Sequence, residues 1–77
     1  MTRLRLVPFH ELGKVAERAG YEPVRRQGSH AVFRNPEGRI VVIPDRGSQV
    51  IVRPLLRKIL RDLGLSPDEY HRALDGL

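Results

Sequence analysis

The sequence predicts a small two-layer α+β domain, in which a three-stranded antiparallel sheet packs on two helices in the order α-β-β-β-α and a short C-terminal helix follows. Apolar residues recur at helical spacing near both ends of the chain, and β-branched segments separated by turn residues lie between them. A chain of 77 residues buries roughly 60–65% of its unfolded surface, which suffices for one core. We therefore expect residues 1–77 to form a single domain.

The first helix is predicted over residues 8–19. Proline is favoured in a first helical turn, because its missing N–H would have no partner there, and Pro8 takes that place. Gly20 follows the last turn, where glycine commonly adopts the left-handed conformation that ends a helix. The apolar face expected to enter the core consists of Leu12, Val15, Ala16 and Ala19.

Three strands are predicted over residues 21–26, 30–34 and 39–43. Pro23 cannot donate a hydrogen bond to a neighbouring strand, so the first strand is expected at an edge of the sheet. A tight turn is expected at residues 27–29, and Asn-Pro-Glu-Gly at residues 35–38 has the signature of a type I turn. Residues 40–43 are all β-branched, which predicts a third strand buried on both faces.

Two further helices are predicted after the sheet. The second spans residues 53–63 and ends at Gly64, and a third begins after Ser66. Ser66 and Glu69 have the spacing of a capping box, in which each side chain bonds the backbone N–H of the other residue. The core-facing residues of the second helix are expected to be Leu56, Ile59, Leu60 and Leu63.

Composition excludes several classes of protein. The absence of cysteine rules out disulfide scaffolds, thiolate zinc sites and cysteine nucleophiles. The acidic residues are scattered without a spacing that would bring three of them together, so we expect neither a metal site nor a cofactor. No apolar run approaches the roughly 18 residues of a membrane span, and the N-terminus lacks the apolar core of a signal peptide. We therefore expect a cytoplasmic protein without a membrane partner.

The distribution of charge is the first positive indication of function. The 14 Lys and Arg residues outnumber the 9 Asp and Glu residues, for a formal net charge of +5. Residues 47–61 contain cations and no acid, whereas residues 62–77 are net acidic. Because the arginine guanidinium matches phosphate geometry, this layout predicts a surface that binds a polyanion. The candidate residues of that surface are Arg25, Arg26, Arg46, Arg53, Arg57, Lys58 and Arg61.

The stretch Ala-Gly-Tyr-Glu-Pro-Val-Arg-Arg-Gln-Gly-Ser-His at residues 19–30 resembles the signature of HicA-type toxins, also called YcfA-like proteins. Further matches follow in order at Pro-Glu-Gly (residues 36–38), at Val-Val-Ile-Pro (residues 41–44) and between Leu56 and Ser66. The resemblance covers roughly residues 9–71. Many family members carry a second histidine two residues after the proline, and Arg46 stands in that place here.

The resemblance implies a specific function. HicA-type proteins are ribonuclease toxins of type II toxin–antitoxin pairs; they cleave mRNA and so block translation. Their fold is similar to that of the double-stranded-RNA-binding domain. Their catalytic histidine falls on His30 here, and a HicB-type antitoxin binds the toxin and covers that histidine. We expect the free protein to be monomeric, with mRNA as its substrate.

This chemistry is compatible with the residues of the Gly-Ser-His motif. Cleaving RNA without a metal needs a base for the 2′-OH proton, an acid for the leaving 5′ oxygen and cations for the phosphorane charge. His30 suits the acid or base role, because histidine populates both protonation states near neutral pH. Gly28 permits a backbone shape that brings phosphate close, and Ser29 offers a hydroxyl. We therefore take His30 as catalytic and Gly28 and Ser29 as site-shaping.

Two other functions remain compatible with the sequence. A non-catalytic RNA-binding module of the same fold would grip A-form RNA by its shape, and its affinity would survive the substitution His30→Ala. A small interaction subunit would instead use the basic surface for an acidic protein partner and would not bind RNA.

Overall fold

The computed structural model describes residues 3–77, and it confirms the predicted α+β class and the order of the elements. Each predicted helix or strand boundary before the third helix lies within one residue of the observed one. The order is compatible with a fold like that of the double-stranded-RNA-binding domain. The elements are α1 (Phe9–Arg18), β1 (Glu22–Gln27), β2 (His30–Arg34), β3 (Ile40–Pro44), α2 (Arg53–Leu63) and α3 (Pro67–Asp75).

The three strands form one antiparallel sheet in the order β1-β2-β3, so β2 is central and β1 and β3 are edges. The edge position predicted for the strand that contains Pro23 is confirmed. The pairing of β1 with β2 shifts register between Pro23 and Arg25, which marks a bulge at Val24. Proline and a bulge both hinder further pairing along an edge, so β1 is poorly suited to accept another strand.

The helices cover one face of the sheet, here called the inner face, which carries Ala31, Phe33, Val41 and Ile43. These side chains share a single core cluster with the apolar faces of α1 and α2, as the helical spacing predicts. Tyr70 of α3 is fully buried in the same core and donates a hydrogen bond from its hydroxyl to the Arg5 carbonyl at 2.5 Å. Within the described residues, no helix has both the length and the apolar character needed to cross a membrane.

The prediction that β3 is buried on both faces is wrong. Ile40 and Val42 are 55% and 45% exposed, whereas Val41 and Ile43 are buried. The cause is the two-layer architecture, because both helices that pack on the sheet lie on the inner face and leave the opposite face open. A run of β-branched residues therefore forms an edge strand here, with one buried face.

Two predicted local motifs are confirmed atom by atom. The Gly38 N–H donates to the Asn35 carbonyl at 2.9 Å, which closes the turn between β2 and β3. At the start of α3, the Ser66 hydroxyl accepts from the Glu69 N–H at 3.1 Å, and the Glu69 carboxylate accepts from the Ser66 N–H at 2.8 Å. These contacts satisfy backbone groups that would otherwise lack partners at a turn and at a helix start.

Candidate active site

His30 is the first residue of β2, immediately after the turn that connects β1 to β2. Gln27 and His30 are paired across the two strands, so the loop between them contains two residues, Gly28 and Ser29. Gly28 has a φ of +58°, and no residue other than glycine has a positive φ among the described residues. A positive φ at the first loop position alone is the pattern of a type II′ turn, which favours glycine there. Gly28 thus sets the turn that places His30.

The side chain of His30 lies on the open face of the sheet. Side chains alternate along a strand, and the next residue, Ala31, is 3% exposed and belongs to the core. His30 is exposed and therefore points away from the helices. Directly opposed residues share a face, so the register assigns the remaining members of this surface, which we call the outer face. Its residues are Glu22, Arg25, Gln27, His30, Val32, Arg34, Ile40, Val42 and Pro44, of which Val32 and Pro44 are buried.

The loop after β3 is tied to the turn that carries His30. Pro44, the last residue of β3, pairs with His30, and the Asp45 N–H donates to the Ser29 carbonyl at 2.6 Å. Arg46 follows directly, and its carbonyl accepts from the Gln49 N–H at 3.3 Å. The fold therefore brings Arg46 to the same end of the sheet as His30, although the two residues are far apart in sequence.

Arg26 has a different environment from its neighbour Arg25. It is paired with Ala31 and so lies on the inner side of β1, where its guanidinium donates to the Asp45 carboxylate at 2.8 Å and stands 5.3 Å from the centre of the Phe9 ring. The Gly47 N–H, together with the Arg26 guanidinium, holds the pKa of Asp45 below its ordinary value. Arg26 and Asp45 thus fasten the loop after β3 to the edge of the sheet, and Arg25 remains on the outer face.

The four cations predicted on α2 do not form one free row. The Arg53 guanidinium is partly buried and donates to the Leu4 carbonyl at 2.7 Å, and Lys58 is paired with Asp62 at 2.8 Å. Arg57 and Arg61 are exposed. Because α2 packs on the inner face, all four lie in the other layer from His30. The structure therefore places Arg25 on the same face of the sheet as His30 and Arg46 at the same end of the sheet. The α2 cations lie apart from His30.

Two residues of this region, Gln27 and Asp45, are not among the site residues that the sequence predicts. Gln27 was expected inside the turn, but it is the last residue of β1 and the cross-strand partner of His30. Asp45 carries the contacts that hold the loop. A two-residue Gly-Ser loop between the strands is the signal that identifies Gln27 as a flanking residue. No comparable signal marks Asp45, because its partners come from distant parts of the sequence.

The arrangement suits proton transfer near a phosphate. The exposed imidazole of His30 can give or take a proton, and the guanidinium of Arg25 shares its face of the sheet. In the part of the chain from residue 3 onwards, no three His, Asp or Glu side chains come close enough to hold a metal ion.

The fold and this site define a small basic α+β domain that presents a histidine and an arginine on an open sheet face. Residues 6–65 match the family model described as the HicA toxin of bacterial toxin–antitoxin systems. The chain belongs to the HicA toxin family, as the residues of its Gly-Ser-His motif predict. It is thus the toxin of a toxin–antitoxin pair, in a family whose members are generally mRNA interferases and have a cognate antitoxin. A search of curated proteins gave no match.

Proposed function

We propose that this protein is an endoribonuclease toxin that cleaves mRNA without a metal ion, with His30 as its general acid or base. The observation that carries the proposal is the position of His30 in a chain of this family. His30 is exposed, it is the first residue of the central strand, and Gly28 sets the geometry of the turn before it. A rigid strand holds a reacting group more accurately than a free loop does, which favours catalysis.

The proposed reaction is transfer of the phosphate to the neighbouring 2′ oxygen. A base takes the 2′-OH proton, the 2′ oxygen bonds to phosphorus, and the bond from phosphorus to the 5′ oxygen breaks as an acid protonates that oxygen. His30 performs one of these two proton transfers. Arg25 on the outer face and Arg46 at the same end of the sheet stabilise the negative charge of the phosphorane.

The remaining cations have different roles in this proposal. Arg57 and Arg61 are exposed and bind phosphates of the RNA away from the scissile bond. Arg26 and Arg53 act mainly on the structure, because their guanidinium groups are bonded to Asp45 and to the Leu4 carbonyl. Lys58 contributes less than Arg57, since Asp62 neutralises it. Gly28 and Ser29 shape the turn next to the scissile phosphate.

The antitoxin partner is proposed to be of the HicB type and to cover His30. The outer face supports this, because Ile40 and Val42 expose large apolar side chains there, near the cations Arg25 and Arg34. A face that combines exposed apolar and cationic groups fits a protein surface with apolar and acidic residues. The substitution Val42→Asp is expected to weaken neutralisation by the cognate antitoxin while RNA cleavage continues.

Cleavage by the purified protein tests the enzymatic proposal. Wild type, His30→Ala and His10→Ala are incubated with a long mRNA in the presence of a metal chelator. His10 is an exposed histidine of α1 and provides the matched control. We expect wild type and His10→Ala to cleave and His30→Ala to lose on the order of 10²-fold or more in rate.

Three results would count against the proposal. Cleavage that stops in chelator would contradict metal independence, and cleavage that survives His30→Ala would remove the histidine from the mechanism. Binding of RNA by both forms without any cleavage would favour the RNA-binding module instead.

A further inference from the structure

The turn between β1 and β2 places Gln27 beside His30. The two residues are directly paired across the strands and flank a two-residue loop, so their side chains leave the same face of the sheet. The Cβ atoms of such a pair lie roughly 4.5–5.5 Å apart, which is within reach of a carboxamide. Both residues are exposed on the outer face, where no helix separates them from solvent. The Gln27 carboxamide can therefore reach the imidazole without any change in the backbone.

The other polar groups near His30 are charged or already engaged. Asp45 of the following loop accepts from the Gly47 N–H and from Arg26 of β1. The charged groups at the imidazole's end of the sheet are Arg25 on β1, and Asp45 and Arg46 after β3; Arg34 lies at the other end of the same strand. An arginine can donate but cannot accept a hydrogen bond. Gln27 is a neutral neighbour that can accept one.

A histidine that transfers a proton needs a fixed tautomer and a fixed ring orientation. The tautomer and the orientation are both set by the hydrogen bond that the other ring nitrogen, the one turned away from the substrate, makes. Nδ1 is the ring nitrogen nearer to the backbone, so a side chain from the paired residue of the next strand can reach it. A neutral acceptor orients the ring without favouring the imidazolium, whereas a carboxylate at the same place would stabilise the charged imidazolium form.

We propose that Gln27 is a positioning residue for His30, whose carboxamide oxygen accepts a hydrogen bond from the imidazole Nδ1–H. Nε2 is then the nitrogen that faces the RNA and exchanges the proton. The catalytic consequence rests on the proposed function of His30, whereas the proposed contact rests on the cross-strand pairing of the two residues. Gln27 does not react; it keeps the imidazole in one tautomer and one orientation.

The contact is tested on the intact protein by nuclear magnetic resonance. Nitrogen shifts of the His30 ring report which nitrogen carries the proton when the ring is neutral. We expect the Nδ1–H tautomer to be enriched in wild type and to give way to Nε2–H in Gln27→Met, which keeps the side-chain length but cannot accept. Glu22→Met is the matched control, because Glu22 lies on the same strand and face but pairs with Arg34. Identical tautomer populations in wild type and Gln27→Met would overturn the proposal.

The catalytic consequence is tested by the same variants in RNA cleavage. Gln27→Met is expected to lower kcat on the order of 10-fold with little change in KM, because a misplaced reacting group slows the chemical step. Gln27→Glu introduces a charge beside the ring and should move the limb of the pH–rate profile that reports His30 upward by about 0.5 pH unit. Glu22→Met should change neither.

These measurements separate the two proposals. Equal cleavage by wild type and His30→Ala would refute the catalytic role of His30, and the tautomer measurement would still report the contact with Gln27. Loss of cleavage in His30→Ala together with full activity in Gln27→Met would leave the proposed function standing and refute the positioning role.

Discussion

The two faces of the central strand β2 differ in what their residues do. On the inner face, Ala31 and Phe33 are each 3% exposed and lie in the core. On the outer face, His30 and Arg34 are exposed beside a cross-strand arginine and glutamine. Core side chains therefore alternate with outer-face side chains along this strand, and the candidate catalytic residue is one of the outer ones. Val32 is the outer position that is buried, at 4% exposed. Substitutions on the two faces should therefore separate in their effects on unfolding and on RNA cleavage.

The largest expected difference in stability is between alanine substitutions at Phe33 on the inner face and at Val42 on the outer face. Phe33→Ala removes a buried ring and is expected to lower the free energy of unfolding by about 3–5 kcal/mol. Val42→Ala on the outer face is expected to cost less than about 1 kcal/mol, because that side chain is 45% exposed. Urea unfolding followed by circular dichroism measures both. Similar losses from the two substitutions would show that the outer face is covered in solution.

The turn between β1 and β2 is tested by comparing Gly28→Ala with a second glycine-to-alanine substitution of opposite expected sign. Gly28 has a φ of +58°, so Gly28→Ala is expected to destabilise the fold by about 1–2 kcal/mol. Gly13 lies inside α1, and an added Cβ would stand 3.5 Å from the Phe33 ring, an ordinary contact. Gly13→Ala is expected to stabilise by about 0.5–1 kcal/mol. Stabilisation by both substitutions would disprove the assigned turn geometry.

Arg25 and Arg53 separate RNA binding from structure. Arg25→Gln is expected to weaken RNA binding and to reduce the slope of log affinity against log salt by about 0.7, the value for one phosphate contact on a single strand. Arg53→Gln removes the hydrogen bond to the Leu4 carbonyl and is expected to lower stability instead. Salt titrations of RNA binding, paired with urea unfolding, check both. An unchanged slope in Arg25→Gln would remove Arg25 from the binding surface.

The smallest expected effect is the acid dependence of the loop after β3. Contacts with Gly47 and Arg26 lower the pKa of Asp45 from its ordinary value of 3.8, so the folded state favours the carboxylate. This stabilisation is present above about pH 4 and is lost as the pH falls through the lowered pKa. Asp45→Asn is expected to unfold with a weaker dependence on pH in that acidic range. Amide exchange of Gly47 at pH 3 and pH 6 reports the same contact locally.

Much of the fold follows from local sequence signals. The spacing of Leu56, Ile59, Leu60 and Leu63 predicts α2 to the residue, and Ser66 with Glu69 predicts the start of α3. These signals are local, because caps, turns and amphipathic faces are set by residues within a few positions of each other. His30 was identified by the family signature around it rather than by periodicity.

The rest depends on contacts between distant residues. β-branched residues at 40–43 fit a strand with one or two buried faces, and only the packing of the helices decides which. The spacing along α2 predicts Arg53 in an exposed row of cations, but its guanidinium donates a hydrogen bond to the carbonyl of Leu4, which precedes α1. Arg25 and Arg26 are adjacent and therefore lie on opposite sides of β1, and the bulge and register of the strand decide which of them is on the outer face.

Paired induction in a bacterial host tests the central claim most directly. Wild type and His30→Ala are expressed to matched soluble levels, and growth and intact mRNA are followed together. We predict growth arrest with loss of intact mRNA in wild type, and normal growth with intact mRNA in His30→Ala. The variant lacks the proposed catalytic group, but its core is unchanged because His30 is exposed on the outer face. Equal arrest and equal loss of mRNA in the two strains would contradict the role of His30.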